Sequence, residues 1–190
     1  MINEPEYIAI RLPSKMYNII EEKVVSLYKE LNITKVPIDP FNIAKQKGFI
    51  VKPFSQFNKD LYGILLRDKK DKIDGISHYD PDLKTFVIYY DENQVIQRIR
   101  FTIMHEIAHI EMGHKQESEL ARKIADYYAA YSLAPSPLIW YFKCEDFIDV
   151  STQFDISTQC ADYCFSRYTN RANFGGKTKK YEMSLLGLFR

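Results

Sequence analysis

The sequence predicts an α+β fold: a small, twisted, mostly antiparallel sheet packed on a helix that carries two histidines and on a following antiparallel helix, with a helical C-terminal segment. Three observations predict it. Apolar residues recur at helical spacing up to Gly48 and again after Asn93. Short β-rich runs separated by polar turns fill the interval between them. A proline pair, Ala134-Pro135-Ser136-Pro137, stops the second long helix of the later stretch, because proline cannot continue one.

Between Pro13 and Leu31, apolar Ile20, Val24, Leu27 and Leu31 face one way while Glu21, Glu22, Lys23 and Lys29 supply a wet face. A shorter helix follows, with Asp39 as cap, Pro40 in its first turn and Gly48 just past its end. Strands are predicted over Phe49 to Phe54, Leu61 to Arg67, Ile73 to His78 and Lys84 to Tyr90. After Asn93, read as a cap, Ile96, Ile99, Ile103, Ile107 and Ile110 return to helical spacing and run to Gly113 as the stop. A second long helix is predicted from about Glu117 to Leu133, and the remainder reads as helical, with Ser157 as a cap before Cys160, Tyr163, Cys164 and Tyr168. The domain organisation expected is one domain over residues 1–140 with a helical extension, residues 141–190, packed on it.

Composition narrows the function classes. At 190 residues, 46% hydrophobic and 27% charged, the chain can bury one sizeable core. Its 26 basic residues nearly cancel its 25 acidic ones, which argues against direct binding to nucleic acid or an anionic membrane surface. The start of the chain reads as acidic rather than as a secretion signal, and no apolar run reaches membrane-spanning length, so a cytoplasmic location is expected. Cys144, Cys160 and Cys164 form no even framework and read as thiols in a reducing compartment.

The chemistry concentrates in His105-Glu106-Ile107-Ala108-His109. Residues four apart on a helix share a face, so His105 and His109 can offer two imidazole nitrogens to one tetrahedral zinc ion. Glu106, about 100° further round, stands beside that spot, where a general base must be to take a proton from water activated by the metal. A third ligand does not announce itself. A glycine and a histidine three and six residues after His109 would mark one zincin pattern, but those positions hold Met112 and Lys115, and His114 reads as a surface residue at the helix end. If the next helix folds back with its turn near Gln116, His109 faces about Ala121 to Lys123 and His105 lies level with about Asp126. The best-placed position is then Arg122, which cannot bind a metal. Glu119 and Asp126, one turn away on either side, can replace it as ligands; alternatively, Asp126 orients His105 through its other ring nitrogen.

The run from Arg98 through His105-Glu106-Ile107-Ala108-His109 to Gly113-His114 resembles the active-site segment of the ImmA/IrrE family of bacterial metallo-endopeptidases, also described as domain of unknown function 955. Ser118-Glu119-Leu120-Ala121 and Ala125-Asp126-Tyr127-Tyr128-Ala129-Ala130-Tyr131-Ser132-Leu133-Ala134-Pro135 are similar to the family's second helix and its proline stop, and Asp74-Gly75-Ile76-Ser77 matches as well. The resemblance spans about residues 14–140. It implies a zincin-like fold, Zn2+ as the metal held by His105 and His109, Glu106 as the catalytic residue, and a helix-turn-helix repressor as the protein substrate in a stress or mobile-element circuit. It also implies a glutamate as third ligand at the position of Arg122, and a second glutamate where this chain has Ile124. The alternative function is therefore a catalytically impaired member that acts as a protein-binding regulator.

Lesser signals carry less. Gly175-Gly176-Lys177-Thr178 lacks the first glycine of a phosphate loop, since position 171 is Arg171. Cys160 and Cys164 read as core residues. Tyr89, Tyr90, Tyr127 and Tyr128 lie in elements near the site, where one hydroxyl can reach a developing oxyanion. The run Lys84 to Tyr90 is a candidate edge strand for an extended substrate.

Overall fold

The structure, a computed structural model, describes residues 12–57, 73–116, 118–174 and 177–190. The expected strand Leu61 to Arg67, the residue Glu117 and the glycine pair Gly175-Gly176 lie outside the described residues.

Helix α1 (Ser14–Glu30) buries Ile20, Val24 and Leu27 of the predicted stripe, with Val25 and Tyr28 beside them; Glu21, expected on the wet face, is instead buried, its carboxylate accepting from Tyr127 and Tyr181 at 2.6 Å each. In α2 (Pro40–Gln46) the Asp39 side chain accepts a hydrogen bond from Phe41 N–H, and Gly48 takes φ +77° beyond the end. Strand β1 (Ile50–Pro53) pairs in parallel with β3 (Thr85–Tyr90), and β2 (Gly75–Asp80) pairs antiparallel with the other side of β3. The sheet is thus mixed, in the order β1-β3-β2. This corrects the reading of Lys84 to Tyr90 as an edge strand: β3 is central. Its consecutive buried residues Val87, Ile88 and Tyr89 are what a strand covered on both faces shows.

Helix α3 (Ile96–Glu111) carries the two histidines. Asn93 does not cap it. Val95 takes that position, while the Asn93 backbone N–H and side-chain amide both donate to Asp91 Oδ1, at 3.0 and 2.9 Å, in the preceding turn. The other end follows the sequence. Gly113 adopts φ +67°, its N–H donates to Ile110 O at 3.0 Å, and His114 N–H donates to His109 O at 3.0 Å. These are the two bonds of a Schellman motif, which needs a left-handed residue at the position of Gly113.

Helix α4 (Glu119–Leu133) starts with Ser118 as cap, its hydroxyl accepting from Ala121 N–H at 3.0 Å. It returns antiparallel to α3. Ile103, Met104, Ile107 and Ala108 of α3 join Ala125, Tyr128 and Ala129 of α4 in one buried cluster, where the alanines let the backbones approach. The chain continues through α5 (Ser136–Tyr141), α6 (Phe147–Phe154), α7 (Thr158–Phe174) and α8 (Lys180–Gly187). Ser157 accepts from Cys160 N–H at 3.2 Å, as its reading as a cap requires.

Residues on both sides of position 140 share that apolar cluster, which extends from Leu12 to Leu186. Buried polar ties reinforce it. Tyr28 donates to Ser132 O at 2.7 Å, and Arg100, 6% exposed, donates to Ile38 O at 2.5 Å and to the backbone and carboxylate of Asp155. Among the described residues no helix is long and apolar enough to cross a membrane.

Candidate metal centre

One turn of α3 brings the imidazoles of His105 and His109 together, with Nε2 3.0 Å from Nε2. Both rings are half-buried. Glu106, between them in sequence, turns toward the sheet and is buried at 9% exposure. The cause is the approach of β2. Gly75 lies so close to α3 that an added Cβ would stand 2.4 Å from Thr102 Cγ2 and 3.5 Å from Glu106 Cγ. Side chains two apart on a strand share a face, so Ser77 points the same way as this contact. Its hydroxyl donates to Glu106 Oε2 at 2.7 Å. That hydrogen bond fixes the orientation of the carboxylate.

Beyond these groups, the two imidazoles are held from their far sides. Asp126 Oδ1 lies 2.8 Å from His105 Nδ1, and His114 Nδ1 lies 3.1 Å from His109 Nδ1. Asp126 therefore stands at the nitrogen that a metal-binding His105 turns away from the metal. The contact also sets the register of the helix pair: with Asp126 level with His105, Arg122 lies level with His109 four residues back along the antiparallel helix. The side chain of Glu119 is 73% exposed and pairs with Lys123 at 2.6 Å on the outer face of α4. Burial, followed by the nearby charge of His105, lowers the pKa of His114.

The tyrosines expected near the site are otherwise engaged or placed. Tyr127 donates to Glu21 at 2.6 Å, Tyr128 is fully buried, and Tyr89 packs on Phe57 with ring centroids 4.2 Å apart. Cys164 is buried with its thiol 3.6 Å from Ala130 O, consistent with a packing role. Two open clefts, of about 550 and 360 Å3, run along α1 and include neither histidine.

Two nitrogens at zinc distances of about 2.0–2.1 Å with tetrahedral angles stand about 3.3 Å apart. The observed His105–His109 separation of 3.0 Å fits two corners of such a site. The carboxylate on His105 Nδ1 is a partner of the kind metal-binding histidines use. Among the described residues no group of three His, Cys, Asp or Glu side chains converges to hold a metal ion, so these residues supply half of a tetrahedral shell.

His114 is the residue to which the sequence reading gave no part in the site. The signal was present in Gly113: a glycine stop of this type folds the following residue back over the last turn.

No curated protein matches the chain. Residues 60–135 match the family model Peptidase_M78, the IrrE N-terminal-like domain, and the expected resemblance to the ImmA/IrrE family is borne out over the segment that holds β2, β3, the histidine helix and α4.

Proposed function

We propose that the chain is a zinc-dependent endopeptidase in which His105 and His109 hold the metal and Glu106 is the general base. The family match supports a metallopeptidase-type function. The observation that carries the finer reading is the histidine pair, two Nε2 atoms 3.0 Å apart on one turn of α3, on the same helix as a buried Glu106 carboxylate anchored by Ser77 at 2.7 Å. Zinc bound there would polarise a scissile carbonyl and lower the pKa of water toward neutrality. The protein's own contribution is to present the two Nε2 atoms on one side of α3, to hold the Glu106 carboxylate through Ser77, and to let Glu106 take a proton from the attacking water and pass it to the leaving amine. The protein substrate in this reading is a helix-turn-helix repressor in a cytoplasmic regulatory circuit, a suggestion that rests on family resemblance.

The test is incubation of the zinc-supplemented protein with a helix-turn-helix repressor encoded beside it, followed by mass spectrometry. Cleavage by the wild type that is abolished by Glu106→Gln and by a chelator supports the reading. No cleavage by zinc-loaded wild type rejects this substrate class.

A second reading has its own observation. Arg122 lies level with His109, and no third donor converges on the histidine pair among the described residues. A fixed guanidinium beside a dication site disfavours the metal. In this reading the chain binds the repressor without cutting it, and Glu106→Gln leaves that affinity unchanged.

A further inference from the structure

We propose that His114 is the positioning residue for His109, doing for the second histidine what Asp126 does for the first; this deepens the zinc reading above and rests on it.

The arrangement follows from the helix end. Gly113 in the left-handed conformation turns the chain back on α3, and the paired bonds Gly113 N–H to Ile110 O and His114 N–H to His109 O close the motif. In a Schellman motif the residue after the left-handed one lies against the residue five before it, commonly through an apolar contact. Here that pair is His114 and His109. Their rings meet edge to face, 75° between planes and 5.0 Å between centroids, with the two Nδ1 atoms 3.1 Å apart. That geometry is a hydrogen bond rather than a stack.

The bond has a direction, and the direction decides whether the site can take a metal. A neutral imidazole holds one proton. If His109 Nδ1–H donates to a bare His114 Nδ1, then His109 Nε2 is bare and faces His105 Nε2, 3.0 Å away, as a ligand must. If His114 Nδ1–H donates instead, the His109 proton sits on Nε2, between the two rings, and the site is closed. The metal-competent tautomer of His109 is the one in which His114 carries its proton on Nε2 and accepts at Nδ1, whereas Asp126, which only accepts, fixes that of His105. His114 cannot itself join the same ion, because it occupies the Nδ1 edge of His109, away from Nε2.

The experiment measures zinc affinity by competition with a chromogenic chelator at one fixed pH, for the wild type, His114→Ala and His114→Asn, with the thermal midpoint of each as a folding control. Asparagine can place an acceptor oxygen near the position of Nδ1. The proposal expects His114→Ala to weaken zinc binding by about 10–100-fold with the thermal midpoint of the metal-free protein unchanged, and His114→Asn to recover most of that loss. It is overturned if His114→Ala binds zinc as tightly as the wild type, or if His114→Asn is as weak as His114→Ala. Either result leaves the zinc reading standing. A wild type that takes up no zinc overturns the zinc reading itself and the role of His114 with it.

Discussion

Asp126 meets His105 through the ring nitrogen that faces away from His109: its Oδ1 is 2.8 Å from His105 Nδ1, while His105 Nε2 is 3.0 Å from His109 Nε2. One carboxylate contact thereby orients a ring, selects its tautomer and sets the register of α3 against α4. Asp126→Ala is expected to weaken zinc binding by about 10–100-fold, as loss of such partners does. Glu119→Ala, which removes an exposed side chain paired with Lys123, is expected to change it by no more than about twofold. Chelator competition on the two variants separates them, and a large effect of Glu119→Ala would place that carboxylate at the metal instead.

The same register puts position 122 level with His109. Arg122→Glu puts a carboxylate in place of a cation at the level of His109, and is expected to tighten zinc binding on the order of tenfold or more. Zinc titration of the variant beside the wild type checks it. An unchanged affinity would mean that the side chain at 122 does not reach the histidines.

Gly75 is demanded by space. A Cβ there would overlap Thr102 Cγ2 at 2.4 Å and crowd Tyr89 O at 3.0 Å. Gly75→Ala should cost about 1–3 kcal/mol, the range for overpacking a filled interior. Adding Thr102→Ser, which deletes the opposing methyl, should recover part of it. Urea denaturation of the single and double variants measures the coupling; purely additive effects would contradict the contact.

His78 stacks on Tyr89, with ring planes 3° apart, and its Nδ1 is buried without a hydrogen-bond partner among the described residues. Burial pushes its pKa below the ordinary histidine value, against an opposing pull from Asp80. The fold therefore prefers the neutral ring. Its contribution is fully present above the unfolded value of about 6.5 and is lost as pH falls from there through the lower folded value. A His78→Gln variant should lose less thermal stability than the wild type when pH is lowered through this window. Equal losses would show that His78 carries none of the acid sensitivity.

What the sequence by itself determined is local. The stripe of α1, the Asp39 and Ser157 caps, the stops at Gly48 and Gly113 and the one-face placement of His105 and His109 all follow from helical periodicity and from backbone conformations that only certain residues tolerate. The level placement of Asp126 with His105 was legible too, because an antiparallel pair with a known turn has a calculable register. Tertiary structure decided what depends on contacts between distant segments. The β-rich run Lys84 to Tyr90 predicts a strand but not its neighbours, so the central position of β3 appeared only when β1 paired with it. The anchoring of Glu106 by Ser77 depends on a sheet pressed against a helix closely enough to require Gly75, a distance that no pattern in either segment encodes.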